Sequence, residues 1–483
     1  MEYTAQATSP LVNNEVKLVI GDAALTVASL FDTVEVSFSE INALVLADYI
    51  VTIKADSGDY VFSRMGHWGQ PFYDDLCDAY NKAVLRSLFI KNSPLITANG
   101  DYTYSEGDAT GHGAAHIHVY GNSVATLPPD LSARRVPLCF VSDMDKGDFE
   151  LTLRLVTNES YTYAKLGYDT KVFAEAIEKQ IRSLREESLA AAKEIDPGLT
   201  TTQASQLAKL VPQGAAAPIG RLAQIASSFA EALEGKIATT RAAESYAVFK
   251  ELSDPGQIWV GFRKNASPKE NPTSGASGTT NDPSGDLDNP AGDEAGDGET
   301  AAPKQDSYLL WLIAPSPNRQ FAAVEFAEAN SATFVYNTRG DFNGFAQQLN
   351  RALEAINFKR EVIRLTDAEL LQPENAVYYM AAKRTRALQF IRSNFVGRVI
   401  HSSQDKWKRN LLSLFEGKSE AVVAPVPSGT LCPSCGKTSA IGTKFCGECG
   451  GTLAAPASQI CPGCGFQVLP MSCFCGECGY KLE

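Results

Sequence analysis

The stretch that decides the fold is Tyr60-Val61-Phe62-Ser63-Arg64-Met65-Gly66, followed six residues on by Phe72. It returns as Tyr161-Thr162-Tyr163-Ala164-Lys165-Leu166-Gly167, with Phe173 at the same interval. Each copy leads into a segment of helical spacing, PFYDDLCDAYNKAVLRSLF at 71–89 and KVFAEAIEKQIRSLREESL at 171–189. Upstream of each lie short runs of period-two hydrophobicity broken by Gly, Asp and Ser. In the first copy these are VKLVIG, ALTVAS, TVEVSFS, NALVLA and IVTIKA; in the second, AAHIHVYG, VATLPP, VPLCFVS and FELTLRLV. Period two is the signature of a strand with one buried face, and the closing segments are amphipathic helices. The N-terminal half therefore reads as a diverged duplication of several antiparallel strands closed by one helix. At the motif itself the residues read as an edge strand, a turn glycine and a core phenylalanine.

That layout resembles the pleckstrin-homology-like (PH-like) split barrel. The resemblance implies that the helix plugs an open end of the barrel with Phe72, Leu76 and Tyr80. It divides the half into 1–92 and 93–187.

Residues 188–253 turn Ala-rich and helical (SLAAAKEI, QASQLAKLV, GRLAQIASSFAEALEGKI, RAAESYAVFKEL), punctuated by Pro197, Pro212 and Pro218. A third α+β domain is expected over 254–365, again PH-like in outline. Its first strand, IWVGFRK, pairs with YLLWLIAP and later strands across an acidic insertion at 265–306, and a helix covers 342–358. The insertion is rich in Pro, Gly, Ser, Thr and Asp and carries seven acidic residues between Asp282 and Glu299, a composition that favours disorder. Asp286 and Asp288 have the spacing of a calcium loop, but Pro290 and the missing bidentate Glu argue against one. From the capping box Thr366-Asp367-Ala368-Glu369 a basic helical segment runs to 418. Residues 357–418 hold 12 Lys or Arg against 6 Asp or Glu, among them Lys383, Arg384, Arg386, Arg392, Arg398, Lys406, Lys408 and Arg409. Residues 419–429 form a linker.

The tail carries the clearest chemistry. Nine of the eleven cysteines fall in the last 52 residues. Cys432-Pro433-Ser434-Cys435-Gly436 and Cys446-Gly447-Glu448-Cys449-Gly450 are repeated 29 residues later as Cys461-Pro462-Gly463-Cys464-Gly465 and Cys475-Gly476-Glu477-Cys478-Gly479. A two-residue gap lets both thiolates of a tight turn reach one tetrahedral ion, and the glycine after each pair supplies the backbone freedom to turn away. Paired cysteines confined to one tail of a long chain point to zinc rather than to a disulfide scaffold. Two structural ions are expected, on Cys432, Cys435, Cys446 and Cys449 and on Cys461, Cys464, Cys475 and Cys478. Four thiolates leave no open position for water, so neither ion is catalytic. Cys473, opposite Lys444 in the repeat, stands outside both tetrads as a spectator or reactive thiol. The segment 430–483 resembles the double zinc ribbon family, which implies zinc binding and a role in protein or nucleic-acid interaction.

Net charge is −13 and the pI near 5.1, which removes the broad attraction of a basic protein for nucleic acid or anionic lipid. The tail's Lys437, Lys444 and Lys481 are balanced by Glu448, Glu477 and Glu483, with no cationic cluster to displace phosphate counterions. No apolar run reaches the ~18 residues that span a bilayer, mean hydropathy is −0.14, and the N-terminus lacks a secretory pattern. A cytoplasmic setting is expected. His116 and His118 share a strand face without an evident third metal ligand, and His67 and His401 have no nucleophile nearby in sequence. Phosphate-loop, dinucleotide, zincin and serine-hydrolase motifs are absent. Ser403-Gln404-Asp405-Lys406 reads as a helix N-cap. The leading expectation is a non-enzymatic interaction or scaffold protein of mixed α+β architecture whose ribbons dock a protein partner. Its rivals are a nucleic-acid-associated protein using the helices at 377–415, and an enzyme with a site in the N-terminal domains, around His112–His118.

Overall fold

Alternation builds the first sheet. In β1 (Glu2–Thr8) Tyr3, Ala5 and Ala7 turn inward while their neighbours face solvent. The chain continues through β2 (Glu15–Ile20), β3 (Ala24–Ala28), β4 (Thr33–Ser37), β5 (Ile41–Ala47), β6 (Ile50–Ala55) and β7 (Gly58–Ser63) to α1 (Gly69–Ser87). The seven antiparallel strands take the order β4-β3-β2-β1-β7-β6-β5, so a four-strand and a three-strand meander meet where β1 pairs with β7. Phe72, Leu76 and Tyr80 of α1 are fully buried against this sheet. Burial of side chains of this size contributes about 1.5–3 kcal/mol each.

The second module repeats the first: β8 (Ile96–Glu106), β9 (Ala109–Val119), β10 (Ser123–Leu127), β11 (Arg134–Pro137), β12 (Val141–Lys146), β13 (Glu150–Leu155), β14 (Glu159–Ala164) and α2 (Thr170–Ile195). Its order, β11-β10-β9-β8-β14-β13-β12, is the first order advanced by seven. Even the irregularities recur, since the fifth strand of each sheet is bulged near its start, at Ile41/Ala43 and at Val141/Asp143. The link from seventh strand to helix is also shared. Arg64 and Lys165 both take left-handed backbone (φ 59° and 56°), as do Gly66 and Gly167 (58° and 66°). The same turn chemistry at the same place is what the repeated motif encodes. Phe173 and Ile177 of α2 occupy the places of Phe72 and Leu76 and are fully buried.

This is the computed structural model of the chain; it describes residues 2–264, 308–327, 332–401 and 403–416, and the backbone of 430–431, 438–439, 459–460 and 467–468. The acidic insertion, the linker, Asp286, Asp288 and all nine C-terminal cysteines lie outside the described residues.

α2 runs eight residues past 187 into the Ala-rich region. There follow α3 (Thr201–Leu210), α4 (Ile219–Ile225), α5 (Ser227–Ala238) and α6 (Ala243–Leu252). GRLAQIASSFAEALEGKI reads as one helical stretch, yet it is divided at Ala226, whose extended backbone (φ −154°, ψ 108°) separates α4 from α5.

The third sheet contains β15 (Ala217–Pro218), β16 (Trp259–Lys264), β17 (Tyr308–Pro315), β18 (Phe321–Phe326), β19 (Ala332–Asn337) and β20 (Phe395–Ile400). β16 and β17 pair antiparallel from Trp259↔Ile313 to Lys264↔Tyr308, across the insertion. This sheet is a plain six-strand meander and lacks the strand order of the other two. Before β20 come α7 (Phe342–Ala355), α8 (Glu361–Arg364), α9 (Asp367–Leu370), α10 (Ala376–Arg384) and α11 (Arg386–Ser393); after it comes α12 (Gln404–Phe415). The capping box at Thr366 and Glu369 is formed in both directions, while Ser403 sits at the N-cap of α12 without a side-chain cap bond. β20, inside the stretch that reads as basic helices, pairs with β19 and completes the third sheet. The chain is thus mixed α+β, built from several antiparallel sheets with helices.

The chain divides into two compact units, Met1–Ser419 and Glu420–Glu483. In the second, Thr430–Leu431 pairs with Thr438–Ser439, and Gln459–Ile460 pairs with Gln467–Val468. The two hairpins are displaced by the same 29 residues as the cysteines. In sequence, each pair of strands brackets one Cys-Pro-x-Cys-Gly motif.

Candidate functional site

In the sequence the charges of the basic helices exceed their nearby counter-charges; in the fold several of them acquire a partner. Lys383 on α10 pairs with Asp56 of the first module at 2.9 Å. Burial alone would raise the Asp56 carboxyl, but hydrogen bonds from Lys383, Asn42 and Tyr379 outweigh it and hold the group below its usual value. Burial also pulls the Lys383 ammonium below the ordinary lysine range. Arg386 on α11 pairs with Asp108 of the second module, and Lys408 on α12 pairs with Glu251. Arg392 donates to the carbonyls of Val362 and Leu365 at 2.7 and 2.6 Å and pairs with Asp367. Much of the local positive charge is therefore used inside Met1–Ser419, holding α10 and α11 to both N-terminal modules. A surface of cations engaged in this way is a poor phosphate binder.

Where these elements converge lies a crevice of about 330 Å³. The β8–β9 turn, β11, the β13–β14 turn, α7 and the α10–α11 junction line it, together with Leu88 just after α1. On α7 the lining residues Gln348, Arg351 and Ala355 fall at helical spacing and form one stripe. Between α10 and α11 the helix is broken at Thr385 (φ −96°, ψ 104°). Its extended backbone sets the flanking Arg384 and Arg386 on one side, where both line the crevice.

Five arginines line this space: Arg134, Arg135, Arg351, Arg384 and Arg386. Four have carboxylate partners. Arg351 donates from Nε to both oxygens of Glu159 (3.0 and 3.1 Å) and from Nη2 to the Arg135 carbonyl at 3.1 Å. Arg134 pairs with Glu106 at 3.0 Å, donates to the Tyr104 hydroxyl at 2.9 Å and lies over that ring. Arg135 reaches Glu354 of α7 at 2.6 Å, and Arg386 reaches Asp108. The Tyr161 hydroxyl lies 2.8 Å from Glu106 and 2.7 Å from Glu159, joining the two acids. Burial followed by these two carboxylates pushes the phenol well above its ordinary value, so it remains a donor. Burial opposes the charge on Arg351, but the surrounding carboxylates, Glu159 foremost, overcome it and raise its pKa.

Sequence reading misses most of this crevice, since Glu159 and Arg351 lie 192 residues apart. The one local signal is Arg134-Arg135, two cations in a row just before the apolar Val136-Pro137-Leu138.

The histidines are not assembled into a metal site. His112, His116 and His118 share the outward face of β9; His116 Nδ1 meets Asn99 Oδ1 at 2.6 Å and His118 Nδ1 meets the Tyr120 hydroxyl at 3.2 Å. The glycines beside them have a packing role. A Cβ at Gly111 would lie 2.4 Å from the Tyr104 ring, which crosses the strand there. His401 lies against Trp407 and contacts Glu325 at 3.2 Å, tying α12 to the third sheet. Among the described residues no group of three or more His, Cys, Asp or Glu is placed to hold a metal. Cys77 and Cys139 are free thiols; burial pushes Cys77 up to about 12 and Cys139 higher still. Among the described residues no helix is long and apolar enough to cross a membrane.

No protein-family model matches the chain, and no curated protein matches it. Among solved structures it is similar to a chain of the Spt16D Pob3N heterodimer, at 13% identity over 32% of this chain and 82% of that one, with a TM-score of 0.14. A likeness at that TM-score carries no weight for fold or partner.

Proposed function

We propose that the protein is a non-enzymatic interaction scaffold with a C-terminal double zinc ribbon as its docking element. The single observation that carries this reading is the coincidence of two duplications. The cysteine tetrads and the short hairpins recur at one spacing of 29 residues, with each Cys-Pro-x-Cys-Gly motif between two paired strands. Eight thiolates in two complete tetrads fit two structural zinc ions, and a repeat this short needs such ligation for most of its folding energy. On this reading Cys432, Cys435, Cys446 and Cys449 hold one ion, and Cys461, Cys464, Cys475 and Cys478 the other.

The two N-terminal modules are PH-like split barrels; their 4-3-2-1-7-6-5 strand order and buried closing helix support that assignment. They present surfaces, and the ionic crevice keeps them in fixed register with the third module. The partner is a protein, in a cytoplasmic setting.

The test compares the zinc-loaded chain, the same chain after chelation, and a chain ending at Gly429 as baits. A partner retained by the first and lost from the other two supports the reading. Equal retention by all three contradicts it, as does a saturable enzymatic turnover that survives chelation.

A further inference from the structure

We infer that the pocket between the second module and the helical segment binds a small molecule with an apolar body and one carboxylate, which meets Arg185 and Lys209. The pocket holds about 350 Å³, at the small end of the range for ligand sites. Its walls are mostly apolar: Val141 of β12, Val156 from the β13–β14 turn, Leu184 of α2, Ala208 of α3 and Pro212 just after it. Val141, Leu184 and Ala208 are buried, whereas Val156 is 51% exposed and leaves part of the apolar wall uncovered.

The charge at this pocket is of one sign. Arg185 of α2 and Lys209 of α3 both line it and both are exposed, so a ligand reaches them from solvent. No carboxylate lines it. Among the described residues neither cation makes an ion pair, and Arg185 has one long bond, from Nη2 to the Val141 carbonyl at 3.4 Å. The remaining polar groups of the lining are already satisfied or neutral. Ser188 Oγ donates to the Leu184 carbonyl at 2.8 Å and accepts from the Gln213 amide at 3.0 Å. Ser142 Oγ donates to the Arg154 carbonyl, and burial keeps the Cys139 thiol protonated. Arg185 also borders a neighbouring crevice that contains Asp143 and Glu178, but these acids are held by Arg154 at 2.7 Å and by Lys146. An apolar cleft with two uncancelled cations on neighbouring helices suits an amphiphilic anion. Its body is stabilised by the apolar area it removes from water, and the guanidinium fork matches the two carboxylate oxygens. The site uses no residue of the cysteine-bearing tail, so the two can fail independently.

The experiment is calorimetric titration of the full chain at low ionic strength with octanoate, with octanol as the uncharged counterpart and acetate as the head alone. One saturable octanoate site per chain is expected, with octanol and acetate each about tenfold weaker or more. Arg185→Met and Lys209→Met both lie at exposed positions and keep an apolar stem, so the fold should be unaffected. Each should weaken octanoate several-fold and leave the weaker octanol binding as it was. Val156→Glu sets a carboxylate on the apolar wall while keeping the backbone bond to the Phe140 carbonyl, and should weaken octanoate roughly tenfold. No saturable octanoate binding by the native chain overturns the inference. So does octanol binding as tight as that of octanoate, or an octanoate affinity that any of the three substitutions leaves unchanged.

Discussion

Replacing Arg351 by Met should loosen the whole joint between the second and third modules. The side chain is 5% exposed and supplies three donor contacts, two to the Glu159 carboxylate and one to the Arg135 carbonyl. Met matches its stem but removes the fork. Glu159, 9% exposed, keeps hydroxyl donors from Tyr161 and Thr157 but loses its cation, and Glu354 loses a neighbouring charge at 3.7 Å. Hydrogen bonds to charged groups contribute about 1.5–3 kcal/mol, and breaking a buried pair costs roughly 3–5 kcal/mol because one charge is stranded. The expected loss is therefore about 3–5 kcal/mol. Adding Glu159→Gln removes the stranded charge, so the double variant should recover about 2 kcal/mol relative to the sum of the single changes. Urea unfolding followed by two probes reads both quantities. Three of the four tryptophans, Trp259, Trp311 and Trp407, are buried in and around the third module and dominate the fluorescence change, Trp68 of the first module being already half exposed, whereas circular dichroism reports every module. In the Arg351 variant the fluorescence and dichroism transitions should separate. A loss under about 1 kcal/mol, or additive single and double variants, would refute the argument that this pair ties the modules together.

Other consequences are simpler to check. Phe72→Ala, which empties a fully buried ring position at the closing helix of the first module, should cost about 3–5 kcal/mol, and Phe173→Ala a similar amount in the second. The carboxyl of Asp56 is depressed in the folded chain, so its contribution is present above the unfolded value near ~3.9 and is lost as pH falls through the folded value. Asp56→Asn should remove that component from the acid-unfolding curve, and an unchanged acid limb would count against the Lys383–Asp56 tie. At pH 8 the zinc-loaded chain should show one fast thiol toward a disulfide reagent, Cys473, while Cys77, held near 12, and Cys139 react slowly. Chelation should raise the fast count to nine. A count that does not change on chelation would contradict thiolate ligation.

How much of this was written locally in the chain differs by element. The paired motifs at Tyr60 and Tyr161 announce a strand, its turn and its helix because each signal lies within a dozen residues, but not the strand's place: β7 and β14 lie inside their sheets with a partner on each side, not at the edge. β1 and β8 escape notice: EYTAQAT buries only a Tyr and two Ala, and ITANGDYTYSE is mostly polar and small, so neither carries the usual branched apolar face. The break between α10 and α11, at the extended Thr385, has no Gly or Pro to mark it. Beyond the adjacent Arg134 and Arg135, the crevice leaves no mark in the sequence, because its carboxylates and guanidiniums come from turns and helices hundreds of residues apart. The basic run at 357–418 misleads for the same reason. Its counter-charges, Asp56 and Asp108, lie near the other end of the chain. The cysteine tetrads are the opposite case, with all four proposed ligands of each ion inside eighteen residues.

Native mass spectrometry of the full chain tests directly whether those tetrads hold zinc. Two zinc ions per chain, both released together with the appearance of eight new reactive thiols, is the result expected. A mass without metal and with the tail cysteines joined as disulfides would contradict it.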